Sequence, residues 1–321
     1  MYQGTLDGSK VCIKRVRVYS KEGIQEGTKV CFDSIVFPAH HQRDVQIFYR
    51  EAVMWKRLTH PNILPLLGIT LTPLQLISTW MSGGELTEYI KNHPDADRLV
   101  LVCDPTLVFI PCLPHYQLSD VIKGLCYLHS CNVVHGDLKG VCKYSRFHFT
   151  VLTPGQPNIL VDDYGNARIA DFGFTTVTRN SDSMGTVSCH HGNTPRWTAP
   201  EVLKEGPYSK EADIFAFAMV MIEVRHRRST VYRALANCSF ISIQVFTGAV
   251  PFRNESSFTV VLAIMEDKRP PRPAHPTLTD DLWTLIQRCW NRDPHLRPGV
   301  SEVLQVLVPS VPYPFLRSYL H

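Results

Sequence analysis

Long apolar runs are missing from the 321-residue chain. A bilayer-spanning helix needs about 20 consecutive apolar residues, and the most apolar stretch, Leu99–Leu113, is broken by Asp104, Pro105 and Pro111. The first ten residues, MYQGTLDGSK, carry no apolar h-region, so the expectation is a cytoplasmic protein with no membrane insertion. Metal–sulfur spacing is missing too. The ten cysteines form no CxxC pair and no Cys/His array, which reads as reduced thiols rather than a disulfide framework or a zinc site. Charge of one sign is scarce: 33 Lys and Arg stand against 29 Asp and Glu, and the densest basic run is Arg225-His226-Arg227-Arg228. No internal repeat is visible. With 44% hydrophobic residues, the chain is long enough for a sizeable core and is neither disordered nor collagen-like.

What is present is a change of pattern along the chain. Val11–Val16 alternates as a strand, and Leu74–Trp80 reads as a buried one. Phe48–Leu58 has helical spacing stopped by His60-Pro61-Asn62, and Glu85–Lys91 resumes as helix after Ser82-Gly83-Gly84. Leu118, Val121, Ile122, Leu125 and Leu128 share one face of a helix over Leu118–His129. Two short strands follow, Asn158–Val161 and Ala167–Ile169. Beyond residue 200 the spacing is helical over Asp213–Glu223, Val260–Glu266, Leu282–Trp290 and Ser301–Leu307. A strand-rich start and a helix-rich remainder predict a two-lobed α+β chain.

Four short segments carry the chemistry: Val11-Cys12-Ile13-Lys14, Val134-His135-Gly136-Asp137-Leu138-Lys139, Ile169-Ala170-Asp171-Phe172-Gly173 and Trp197-Thr198-Ala199-Pro200-Glu201. Each is weak alone. In this order they resemble a eukaryotic protein kinase of the tyrosine-kinase-like branch, over roughly residues 2–307. The resemblance implies a bilobal fold with a small lobe at about 1–79, a hinge at 79–84, a large lobe at about 85–307 and a tail at 308–321. It also implies ATP, Mg²⁺ (Mn²⁺ as an alternative) and a protein substrate.

Moving a γ-phosphoryl group needs charge neutralisation and in-line positioning more than covalent chemistry. Lys14 is then the lysine that holds the α/β-phosphates, with Glu51 as its partner. Asp137 orients the acceptor hydroxyl, and Asp171 and Asn158 carry the metal. By resemblance Lys139 reaches the γ-phosphate and favours Ser/Thr acceptors, whereas Pro195-Arg196-Trp197-Thr198 resembles a tyrosine-kinase acceptor loop. The reading leans to Ser/Thr, with Tyr as the alternative. Ser78 falls at the gatekeeper, a small one that implies a reachable back pocket, and Thr79-Trp80-Met81 at the hinge that binds adenine. Phe172, Gly173, Thr194, Glu201, Asp213 and Arg297 fall at structural or regulatory positions: Asp213 bracing the catalytic loop, Arg297 pairing with Glu201.

Three departures stand beside the likeness. Gly136 replaces the usual Arg before the catalytic Asp, which removes a basic pocket for an activation-loop phosphate on Thr175, Thr176, Ser181 or Ser183. The Gly-rich phosphate loop is absent, since Tyr2-Gln3-Gly4 already resembles the strand that follows it, which reads as a truncated chain or a weak ATP grip. And Asp137 and Asn158, a few residues apart in this family, are here separated by Val141–Gln156.

Deleting Val141–Gln156 restores HGDLKG-PN. Val30–Gln46, Val100–Gln117 and Val224–Gln244 behave alike, and the last removal restores MIEVFTGAVPF. Each segment begins with Val and ends with Gln, whose codons supply the GT and CAG that bound a spliceosomal intron. The four total 72 residues, leaving 249, and carry the whole net charge of +4, so the remainder is neutral and a nucleic-acid role is not expected. They read as translated retained introns; natural surface-loop insertions are the alternative. Such segments are expected to lie outside the core as loops and to leave the 321-residue chain barely active. Two functions therefore stand: an ATP-dependent protein kinase, or a catalytically dead pseudokinase or nucleotide-binding scaffold.

Overall fold

The computed structural model describes residues 1–15, 39–92, 114–140, 158–173, 175–177, 195–223, 250–252, 255–273 and 278–307. The small lobe is an antiparallel sheet of β1 (Tyr2–Leu6), β2 (Ser9–Arg15), β3 (Leu66–Leu71) and β4 (Leu74–Thr79) in the order β1-β2-β4-β3, with one helix, α1 (Ala39–Arg57). β2 pairs with β4 so that Lys14 faces Leu76 and Cys12 faces Ser78. Phe48, Ala52 and Trp55, spaced along one side of α1, are buried. The helix stops where Leu58 N–H returns to Trp55 O, just before His60-Pro61.

The remaining described residues form the larger, helical lobe, joined to the small one through β5 (Gly84–Glu85) and α2 (Leu86–Asn92). α3 (Pro114–Ser130) buries Leu118, Val121, Ile122, Leu125 and Leu128, the face expected from the spacing. Short strands β6 (Val133–Val134), β7 (Ile159–Val161), β8 (Ala167–Ile169) and β9 (Thr176–Val177) form two small sheets, β5-β7-β8 and β6-β9. α4 (Pro200–Leu203) precedes α5 (Lys210–Glu223), which buries every residue from Ala212 to Glu223. A helix buried all round belongs at the centre of a lobe. α6 (Ser257–Met265) and α7 (Asp280–Cys289) start at Ser256 and Thr279, whose hydroxyls accept from Thr259 N–H and Leu282 N–H. α8 (Val300–Leu307) closes the described chain.

The α+β, two-lobed expectation therefore holds. Two details differ from the loop expectation for the extra segments. Residues 39–46 form the first turns of α1, and residues 114–117 begin α3. No Pro or Gly interrupts the sequence from Ala39 to Arg57, and Pro114 occupies a first helical position, where its missing N–H costs nothing. Residues 30–38, 100–113, 141–156 and 224–244, Thr194, Ser181, Ser183 and the 308–321 tail lie outside the described residues. β3 was not expected: its sequence, LLGITL, has no polar alternation, and as an edge strand it leaves Leu67, Ile69 and Leu71 exposed.

Candidate active site

Lys14 projects from β2 to the meeting place of both lobes. Its Nζ lies 3.0 Å from Glu51 Oε1 on α1 and 2.8 Å from Asp171 Oδ1, just beyond β8. Burial opposes the Lys14 charge, but the two carboxylates outweigh it and hold its pKa above the ordinary lysine value. Burial also pushes the Glu51 carboxyl up, against the pull of Lys14. At Asp171 the balance reverses: the Lys14 ammonium overcomes burial, and the pKa is lowered, so this carboxylate stays ionised. Asp171 sits at a left-handed φ of 64°, an uncommon conformation that an Asp side chain tolerates and that recurs at functional sites.

The second half of the site is the turn His135–Gly140. Asp213, on α5 and 1% exposed, accepts from His135 N–H and Gly136 N–H at 2.9 Å each and from His129 Nε2 at 2.9 Å. Gly136 adopts φ 81°, which a side chain would strain. His135 Nδ1 accepts from Asp137 N–H at 3.2 Å, so its Nε2–H donates to Ala170 O at 3.0 Å. One imidazole thus links the loop bearing Asp137 to the segment bearing Asp171. Lys139 Nζ approaches Asp137 Oδ2 at 2.5 Å, and Asn158 Nδ2 donates to the same oxygen at 2.8 Å and to the Asp137 carbonyl.

Asn158 comes back to Asp137 across 21 residues. With its amide nitrogen so engaged, its Oδ1 is buried and, among the described residues, has no hydrogen-bond partner. Asn158 O accepts from Ala170 N–H at 2.8 Å, one residue before the ionised Asp171, so a buried amide oxygen and a carboxylate stand on neighbouring segments as hard oxygen donors that fit a divalent cation. Among the described residues no group of three or more His, Cys, Asp or Glu could hold a metal ion.

The remaining predicted residues fall in two places. Ser78 is buried beneath the sheet opposite Cys12, whose thiol is pushed up by burial. Thr79 is half-buried and Met81 buried at the crossing between lobes, where Trp80 N–H reaches Lys10 O and Gly84 N–H returns to Met81 O. Phe172 is buried, and Gly173 is exposed beside Glu51. Glu201 and Arg297 form a two-toothed pair at 2.6 and 2.8 Å in the large lobe. Trp55 was not singled out from sequence. Four residues after Glu51 and so on its face of α1, its ring lies tilted against that of Phe172 with centroids 5.4 Å apart, while its indole N–H donates to Leu64 O at 2.6 Å. The i, i+4 spacing was the available signal.

The profile of the family described as protein tyrosine and serine/threonine kinase matches residues 10–143 and 155–307, breaking inside Val141–Gln156 and running through the other three extra segments. Among curated proteins, the Arabidopsis thaliana serine/threonine/tyrosine-protein kinase HT1 is 28% identical over 91% of this chain, and the serine/threonine-protein kinase STY17 of the same plant is 26% identical over 81%. The probable serine/threonine-protein kinase drkC of Dictyostelium discoideum is 29% identical over 80%. The chain spans 62%, 36% and 28% of those three proteins' lengths, respectively. Among the described residues no helix is long and apolar enough to cross a membrane.

Proposed function

The chain belongs to the protein tyrosine and serine/threonine kinase family, and on that premise we propose that it transfers the γ-phosphoryl group of Mg-ATP to Ser or Thr hydroxyls of a protein. The observation that carries this reading is the return of Asn158 to Asp137 beside the Lys14–Glu51–Asp171 cluster. The charges needed for phosphoryl transfer are then all in one cleft.

Lys14, held protonated, binds the α/β-phosphates, and Glu51 keeps its ammonium aimed at them. Asn158 Oδ1 and the Asp171 carboxylate would hold the cation, with Mg²⁺ or Mn²⁺ suited to their oxygens. When bound, the cation neutralises charge that develops on the phosphates. Asp137 orients the acceptor hydroxyl and takes its proton as the new O–P bond forms and the β–γ bridging bond breaks, releasing ADP. Lys139, beside Asp137, places a further positive charge where the γ-phosphate crosses. The serine/threonine names of the relatives support the acceptor class, as does Lys139. A non-catalytic, nucleotide-binding role is the second reading. It is favoured by the long detour between Gly140 and Asn158, which removes the short tether expected to preorganise both residues.

The test is the 321-residue chain against one lacking Val141–Gln156, both given Mg-ATP and a Ser/Thr peptide. Misplacement of about 1 Å can cost about 10²-fold in rate, so the shortened chain is expected to transfer phosphate much faster. Equal rates would show a harmless loop and overturn the retained-intron reading. ATP binding without transfer in both chains would establish the scaffold reading.

A further inference from the structure

β3 ends the small-lobe sheet: β4 lies on one side of it and, among the described residues, no strand lies on the other. An open edge leaves backbone N–H and C=O groups along that side without ladder partners, ready to pair with another strand. The side chains add to the exposure. Leu67, Ile69 and Leu71 recur at every second position and stand 40%, 39% and 53% exposed. The strand, LLGITL, holds no charged residue. Uncharged apolar edges are the kind that folded proteins cover, kink or charge.

Two features act on this edge. The β3–β4 register shifts between Leu66 and Gly68, so the strand is kinked at Leu67. The second comes from the last turn of α1, where Lys56 Nζ donates to Leu66 O at 3.2 Å and to Leu67 O at 3.4 Å. One ammonium thereby occupies two neighbouring carbonyls at the start of the strand. Beyond Leu67 the edge has no such cover among the described residues.

We propose that Lys56 holds the β3 edge closed against the same edge of a second copy of this chain. The pattern of the strand is what names the second copy. Antiparallel about a two-fold at Ile69, two β3 strands set Ile69 against Ile69 and Leu67 against Leu71, so each exposed apolar residue meets another. With no charge from Leu66 to Leu71, nothing in the strand itself opposes that pairing. Lys56 does. In this register Leu71 of the second copy arrives at Leu67, where the ammonium sits. Pairing would strip the ammonium of both carbonyls and set it against an apolar side chain, a costly exchange for a charge. An edge of six residues is small beside the roughly 1,200 Å² that stable complexes bury, so without the lysine the pairing belongs in the micromolar range. None of this depends on phosphoryl transfer.

The experiment is sedimentation velocity on the full chain, from about 5 to about 200 µM. The wild-type chain is expected to stay monomeric. Lys56→Met, which keeps the apolar stem and loses the ammonium, is expected to dimerise with a Kd at least about tenfold lower, the size of one lost hydrogen bond to a charged group. Lys56→Arg keeps the charge and its donors and should remain a monomer. Adding Ile69→Lys to Lys56→Met sets like charges against each other at the two-fold and should abolish the dimer. Lys56→Met that associates no more than wild type overturns the proposal. So does wild-type association equal to that of Lys56→Met, and so do dimers of Lys56→Met that survive Ile69→Lys. Urea denaturation checks that each variant folds. If Lys56→Met does not, Lys56→Gln, uncharged and close in length, decides by the same comparisons.

Discussion

α5 and the β1–β4 sheet hold opposite halves of one site by different means. α5 buries all residues from Ala212 to Glu223, whereas β1 buries none and β2 buries only Val11. Asp213 therefore fixes the Asp137 loop from inside a packed core, where its three hydrogen bonds have no competing water. Lys14 stands on a thin sheet with its side chain a quarter exposed and is steered by two carboxylates. The large lobe is set by packing; the small lobe's contribution is set by ions.

Breaking the packed side should have the largest effect. Asp213→Ala would leave His129 and two backbone amides without their acceptor, and losing one member of such a buried network costs about 3–5 kcal/mol. Urea denaturation should show that loss together with loss of activity. The ionic side should behave otherwise. Lys14→Met and Asp171→Asn should each lower transfer about 10²–10³-fold in an active chain, with a shift in urea midpoint well below that of Asp213→Ala. A midpoint drop equal to that of Asp213→Ala would mean the two lobes are held alike.

The smallest effect probes the seam. His60 stacks on Tyr127 at 4.9 Å, and burial, helped by the Lys123 charge, keeps its pKa below the ordinary 6.5. As pH falls below 6.5 the unfolded ring takes up a proton before the folded one does. Stability should therefore decline slightly as the pH drops below 6.5, and His60→Gln should flatten that slope. Unchanged slopes would remove His60 from the account.

The grouping of Lys14 with Glu51 and Asp171, and of Asp137 with Asn158, was readable in sequence because each residue falls within a short, ordered motif. So were α3 and α5, whose apolar spacing is dense. The starts of α1 and α3 were not, because the Val-to-Gln pattern of the extra segments competed with helix propensity there. Nor was Glu223: a glutamate closing an apolar helix gives no sign of its partners, Gly140 and Trp197, which are 83 and 26 residues away. Such ties depend on the folded path of the chain and leave no local spacing to find.

The seam itself has a mechanical consequence. Among the described residues, backbone hydrogen bonds join the small and large lobes at two places. One is the crossing at Met81–Gly84, where Gly83 N–H binds Val161 O. The other is the loop Thr59–Leu64, where Leu64 N–H and Ile169 O, and Ile169 N–H and Asn62 O, bond at 2.9 Å. Gly124 of α3 allows the second approach, since a Cβ there would meet Asn62 O at 2.8 Å. Two such points define a line, the axis about which the lobes would turn on opening. Lys14 on β2 and Glu51 on α1 both belong to the small lobe and would turn together, while Asp171 belongs to the large lobe. Opening the cleft would therefore part Lys14 from Asp171 and leave Lys14 and Glu51 joined, making the 2.8 Å contact the latch of the movement.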